Sequence, residues 1–208
     1  MQTRSLLRVA TLGCLTLALG GFAAAQEQWK YPDFSASQVF ESRKGDMKTK
    51  VYRSGQNVRM ERGAALSTLY APANKKVYNL TTYPDHSHQC VSMTPEQARM
   101  LPSPLQLIQG RVVTRKAAGS EMVEGHKTRI EDVTVMQLDG KTIKSRVWHA
   151  VDLQNIPVKI ESYFKRATLT AYYREIHVGA PDKALFQVPE VCTPFEKMGE
   201  VAEVTVVK

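Results

Sequence analysis

The sequence has few of the features from which an enzyme is recognised. It holds only three cysteines among 208 residues, which excludes a disulfide-dense scaffold and a cysteine-built metal cluster. No nucleophile elbow, phosphate loop, zinc-binding helix motif or closely spaced carboxylate pair occurs, so no catalytic residue and no cofactor is assigned and a non-enzymatic role is expected. Repeats and low-complexity segments are absent, which excludes a solenoid. Carboxylates are outnumbered, 20 against 28 lysines and arginines. The cations are scattered rather than gathered on one stretch, which argues against nucleic acid. Long apolar runs are missing outside the N-terminus.

There, Arg4 and Arg8 precede the small, apolar stretch VATLGCLTLALGGFAAA. It ends at Ala23-Ala24-Ala25, a small-x-small cleavage pattern, and reads as a secretory signal, residues 1–25, removed after Ala25. Three glycines, Gly13, Gly20 and Gly21, dilute the run and polar chain follows at once, unlike a membrane anchor. Thr11 stands where a lipoprotein signal wants a leucine-like residue, so Cys14 is not expected to be lipidated. Cleavage leaves residues 26–208, long enough for one domain with a core of its own. It also removes two positive charges from a formal +8. The expected product is a periplasmic or secreted basic protein, a monomer, attracted to anionic surfaces such as lipid headgroups. Two cysteines remain, Cys90 and Cys192, and an even pair in an oxidising compartment is expected to form a disulfide.

What the chain has in quantity is alternation. FSASQVFES (34–42), DMKTKVYRSG (46–55), NVRMERG (57–63), LSTLYA (66–71) and KKVYNLTT (75–82) read as short strands separated by turn residues. Longer strands follow at 111–123, 126–138, 141–151, 157–165 and 167–178, with Glu124-Gly125 and Asp139-Gly140 as turn signals. Between the two sets, MTPEQARMLPSPLQLIQG (93–110) carries two helix starts, at Thr94-Pro95-Gln97 and at Ser103-Pro104-Gln106. The segment 180–190 reads as a turn with an apolar plug of Leu185, Phe186 and Val188, followed by a tail over 190–208. The fold class is therefore mainly β: a single curved antiparallel sheet of about ten or eleven strands, which must curl or split to manage its edges. A short helical lid, 93–110, would lie across it.

The stretch YPDHSHQC raises one metal question. If extended, His86, His88 and Cys90 share a face, and two imidazoles with a thiolate could hold zinc or copper. Pairing of Cys90 with Cys192 would remove the thiolate, leaving His86 and His88 as an incomplete set beside a wet turn. Near the other end, Lys165 and Arg166 lie beside Tyr163, Phe164, Tyr172 and Tyr173, either as a contact for an anionic membrane surface or as snorkelling structural residues.

Four stretches together resemble the LolA-like superfamily of exported bacterial proteins: FSASQVFES, GDMKTKVYRSGQNVRMER, KKVYNL, and IPVKIESYFKRATLTAYYREIHVGAPDKALFQVPE with its D-x-x-L-F-x-V-P turn. The resemblance implies an unclosed, half-barrel sheet covered by helices, holding a lipid, an acyl chain or a lipidated protein in envelope trafficking. It equally allows a sensor or scaffold that recognises a protein partner with the same fold. The short QEQWKYPD segment, with Pro32, departs from the family's opening helix, so the lid would rest mainly on 95–109. Candidate cavity and lid residues are Val58, Met60, Leu69, Met100, Leu101, Leu105, Ile108, Val147, Ile160 and Leu169; the same residues could instead fill a closed core.

Overall fold

The computed structural model describes residues 31–41, 45–100, 111–136 and 140–197. The expected export signal, Leu101, Leu105, Ile108 and the last eleven positions fall outside them. The described chain is almost all strand: β1 (Phe34–Phe40), β2 (Met47–Ser54), β3 (Asn57–Arg62), β4 (Leu66–Ala71), β5 (Lys76–Thr82), β6 (His88–Met93), β7 (Arg111–Val123), β8 (His126–Met136), β9 (Thr142–Ala150), β10 (Ile156–Phe164), β11 (Ala167–Val178) and the two-residue β12 (Thr193–Pro194).

These form one 12-stranded sheet in the order β12-β6-β5-β4-β3-β2-β1-β11-β10-β9-β8-β7. The chain starts in the middle. It steps outward by hairpins from β1 to β6, reappears at the far edge as β7, and steps back inward to β11, which pairs antiparallel with β1. Period-two patterning with tight turns favours this meander, because neighbours in sequence become neighbours in the sheet. At the β7–β8 turn both Glu124 (φ 50°) and Gly125 (φ 82°) are left-handed, the conformation a two-residue hairpin needs to match strand twist. The sheet does not close, and β7 and β12 are its edges.

Both halves of the expected lid start show the anticipated cap. The Thr94 N–H donates to Gln97 Oε1 (2.8 Å) and the Gln97 N–H to Thr94 Oγ1 (3.2 Å), the reciprocal arrangement that satisfies two orphan donors. The turn that follows, Gln97–Met100, is a 3-10 helix; the remainder of the lid segment falls outside the described residues. Met93 ends β6, next to the β12 edge, and Arg111 begins β7 at the opposite edge.

The C-terminal segment runs across the other face. Arg59 Nη1 donates to the Leu185 carbonyl (3.0 Å), and Phe186 and Val188 pack against the cluster of Leu69, Ala71, Tyr78 and Cys90. The Cys90–Cys192 disulfide then pins it to β6, and β12 adds a parallel pair of residues along that edge. Phe195 rounds the edge to pack with Val77, Val91, Met93 and Ala98, while Gln97 Nε2 donates to Glu196 Oε1 (2.5 Å). The disulfide spans 102 residues of sequence. Replacing both cysteines with alanine is expected to lower unfolding free energy in urea by about 3–5 kcal/mol, with the β6 edge amides losing hydrogen-exchange protection first.

Candidate functional site: the inner face of the sheet

The register divides the side chains cleanly. Met47, Thr49, Val51 and Arg53 on β2 lie beside Phe40, Gln38, Ala36 and Phe34 on β1; Val51 and Arg53 in turn lie beside Met60 and Val58 on β3. Across β1, Gln38 and Phe40 meet Tyr173 and Ala171 on β11. Ala171 meets Ile160 on β10 and Leu169 meets Ser162; Ile160 meets Val147 on β9. Most of these residues join one buried cluster with Val112, Val133, Val135 and Ile156. This is the inner face.

Tyr31 shows that the face is curled. Its ring lies 5.8 Å from the Arg53 guanidinium of β2 and 6.0 Å, centre to centre, from the His149 ring of β9. Those strands are four steps apart in the sheet, about 19 Å in a flat one, where side chains stand parallel and do not converge. Burial and the neighbouring Tyr173 push the Tyr31 hydroxyl well above the usual tyrosine range.

At this end of the face a buried carboxylate and a buried imidazole are linked to two arginines that reach the solvent. Glu131 accepts from Arg115 Nη1 (2.8 Å) and Arg129 Nη1 (2.6 Å), and His149 Nε2 lies 3.2 Å from it. His149 Nδ1 lies 3.1 Å from the Asn155 carbonyl. Burial holds the imidazole pKa below its ordinary 6.5. The Asn155 carbonyl and Glu131 pull the other way, but two guanidinium groups already engage that carboxylate and oppose the imidazolium. Nearer the opposite rim, the Ser145 and Ser162 hydroxyls bond each other at 2.9 Å. Between these zones Gln38 Nε2 donates to the Tyr173 hydroxyl (2.5 Å). Gln38 Oε1 and the Thr49 hydroxyl are buried with no hydrogen-bond partner, an arrangement that costs about 1–3 kcal/mol per group.

Of the sequence candidates, Val58, Met60, Val147 and Ile160 lie together on the inner face, each under 5% exposed, with Leu169 packed beside them. Leu69 does not join them. It pairs with Arg59 and Tyr78 on the outer face, under Phe186 and Val188. Both faces of β4 carry apolar residues because both are covered, so alternation alone could not choose between them. Met100 closes the 3-10 turn, and Leu101, Leu105 and Ile108 fall outside the described residues. Phe34, Phe40, Ala171, Tyr173 and Gln38 were legible but unread: each is in phase with an inward neighbour two positions away.

The histidine stretch folds otherwise than extended alternation implies. His86 sits in a turn at φ 64°, β6 begins only at His88, and Cys90 is consumed by the disulfide. His88 Nδ1 lies 3.2 Å from the Thr82 hydroxyl. Among the described residues no three His, Cys, Asp or Glu side chains gather to hold a metal.

On β9–β11 the outer face carries cations that are paired with carboxylates, Lys159 with Glu161 and Arg174 with Glu124, and that lie over aromatic rings. Lys159 lies 4.2 Å from the Trp148 ring centre and 5.8 Å from that of Tyr172, and Arg174 lies 5.2 Å from the Tyr172 ring centre. Tyr172 and Tyr173, adjacent in sequence, therefore serve opposite faces. At the β10–β11 hairpin Tyr163 and Phe164 are 41% and 45% exposed. Phe164 is in phase with Ile160 and Ser162, so it extends the inner face to the rim, as Met47 (43% exposed) does beside Phe40.

His149 makes stability pH-dependent in a definite window. Its folded pKa is depressed, so the unfolded chain takes up a proton first as pH falls through about 6.5, and stability is lost from there downward. Urea-unfolding free energy is expected to fall between pH 7.5 and 5.5. His149→Gln is expected to flatten that slope; an unchanged slope would show that another group sets it.

No family model matches the chain, and no curated protein matches it in sequence. Three solved structures are similar to it. MucB shares 15% identity with a TM-score of 0.44, over 78% of this chain and 59% of MucB. LprF from Mycobacterium bovis shares 13% with a TM-score of 0.40, over 73% and 89%. A LolA superfamily protein from Nitrosomonas europaea shares 9% with a TM-score of 0.40, over 77% and 92%. The chain thus spans less than two thirds of the MucB chain it matches.

Proposed function

We propose that this is an exported, non-enzymatic binding protein that holds an acyl chain, from a lipid or a lipidated protein partner, against the inner face of its open sheet. The observation that carries this reading is the continuity of that face. Apolar side chains run from Met47 and Phe164 at the solvent-exposed rim to Phe34, Val58, Met60, Val147 and Ile160, which are buried. A hydrocarbon chain laid along such a face gains about 0.8 kcal/mol per methylene removed from water. Leu169, Met60 and the lid candidates Met100, Leu101, Leu105 and Ile108 would contact it; flexible methionines suit varied apolar partners.

Export accords with the Cys90–Cys192 bond, because disulfides persist in oxidising compartments. The basic turn Lys165-Arg166, beside exposed Tyr163 and Phe164, would meet an anionic membrane surface during loading or release.

A second reading, recognition of a protein partner as a sensor or scaffold, is favoured by one feature. The β7 edge, 13 residues long, has, among the described residues, a strand neighbour only on its β8 side, and an extended peptide can pair with such an edge. Irregular pairing at Val112/Thr114 and Ala117/Gly119 twists part of that edge away, which limits such pairing to a short run.

Protein purified without detergent is expected to yield at least one acyl-chain species in mass spectra of its organic extract, and to bind a fluorescent fatty acid. Absence of both would remove the carrier reading. A stable crosslinked protein partner touching β7, with no lipid bound, would put the second in its place.

A further inference from the structure

The inner face carries one feature that an apolar trough does not require. Gln38 on β1 and Thr49 on β2 are directly opposite each other across the strand pair, 0% and 1% exposed. One amide atom of Gln38 is satisfied by Tyr173; the other, and the Thr49 hydroxyl, bond to nothing. Exchanging the amide oxygen and nitrogen would still leave one of them unsatisfied, since Tyr173 engages only one. Around this pair the lining is apolar: Ala36 and Val51 on one side, Phe40 and Met47 on the other. Cross-strand side chains in register lie about 5 Å apart, the spacing that lets two neighbouring groups of one ligand be held at once.

We propose that Gln38 and Thr49 form a polar anchor for a secondary amide joined to an acyl chain. The ligand N–H would donate to Gln38 Oε1 and the Thr49 hydroxyl would donate to the ligand carbonyl, with the hydrocarbon continuing over the apolar side chains on either side. The anchor rests on the reading that the inner face holds acyl chains, and adds to it the chemistry next to the chain. An ester presents only acceptors, so against it Gln38 Oε1 stays unsatisfied; a site built to receive a donor discriminates against an analogue that lacks one. The Tyr173 hydroxyl, held protonated by burial, keeps the Gln38 amide oriented. An N-acylated protein terminus and an N-acylated amino sugar both present this group.

The test uses a matched pair, N-methyldodecanamide and methyl dodecanoate, competing with a fluorescent fatty acid on the full-length exported protein. The amide is expected to bind about tenfold tighter, the effect of one buried unsatisfied acceptor. Gln38→Met is expected to shrink that preference to about twofold or less, whereas Thr49→Val, which removes a bond that an ester carbonyl also accepts, is expected to weaken amide and ester alike and to leave their ratio within about twofold of the unmodified protein's. Equal binding of amide and ester by the unmodified protein overturns the anchor without touching the acyl-chain reading, and needs no variant to fold. Failure of both probes and of the fluorescent acid to bind overturns both. Comparing N-dodecanoyl-glycinamide with N-dodecanoylglucosamine identifies the source of the amide by the tighter binder. The anchor predicts that each exceeds its O-acyl counterpart, and neither doing so overturns it.

Discussion

The pairing of β1 with β11 holds the molecule together as one object. Each half of the chain, β1 to β6 and β7 to β11, is a meander that could form locally from its own hairpins. Only where the first strand meets the last long one do they become a single sheet. That seam is built from Phe40 against Ala171 and Gln38 against Tyr173, with a buried side-chain hydrogen bond across it. Its register decides which residues of both halves face inward together. A slip of one position would send Phe34, Val51 and Val58 outward and bring Lys50 and Arg59 into the interior. The contacts are also far apart in sequence, so the seam carries a large loop-closure cost.

Among the described residues, the segments outside the sheet pack on its edges and its curled face. The C-terminal segment covers the outer side of β3 to β6 with Phe186 and Val188, and the disulfide fixes it where β6 would otherwise present an unprotected edge. Phe195 and the Thr94–Gln97 cap then meet on the inner side of the same edge. On the other half, Tyr31 sits between Arg53 and His149 and Glu131 gathers two arginines. This polar end resists filling by hydrocarbon, whereas the rim at Met47 and Phe164 remains apolar and open to solvent. The two ends of the inner face are therefore chemically unlike, and a chain entering from the rim would stop at the polar set.

Much of this was legible in the sequence, for identifiable reasons. Strands whose one face is wet announce themselves by alternation, so Met47-Thr49-Val51 and Val58-Met60 were placed correctly, and the Thr94-Gln97 box was readable from two residues. The Cys90–Cys192 bond followed from compartment and an even count. Alternation failed where both faces are covered: Leu69 and Tyr70 are both sheltered, and only the long-range path of the C-terminal segment decides which points inward. Tyr172 and Tyr173 looked like one exposed strip because composition does not record phase. His86 and His88 looked like a pair because Pro84-Asp85 marks a turn without fixing how far it runs, and it takes in His86 (φ 64°) before β6 begins at His88. The Gln38–Thr49 pairing depends on register between strands and is not written in either stretch alone.

The claim that the inner face is the binding surface is tested most directly by photo-crosslinking. A fatty acid carrying a diazirine on its chain, bound and irradiated, should label peptides at Val51, Val58, Met60, Ile160 and Leu169, with Leu69 and Tyr78 untouched. Labelling concentrated on the outer face, or spread evenly over both, would contradict the account.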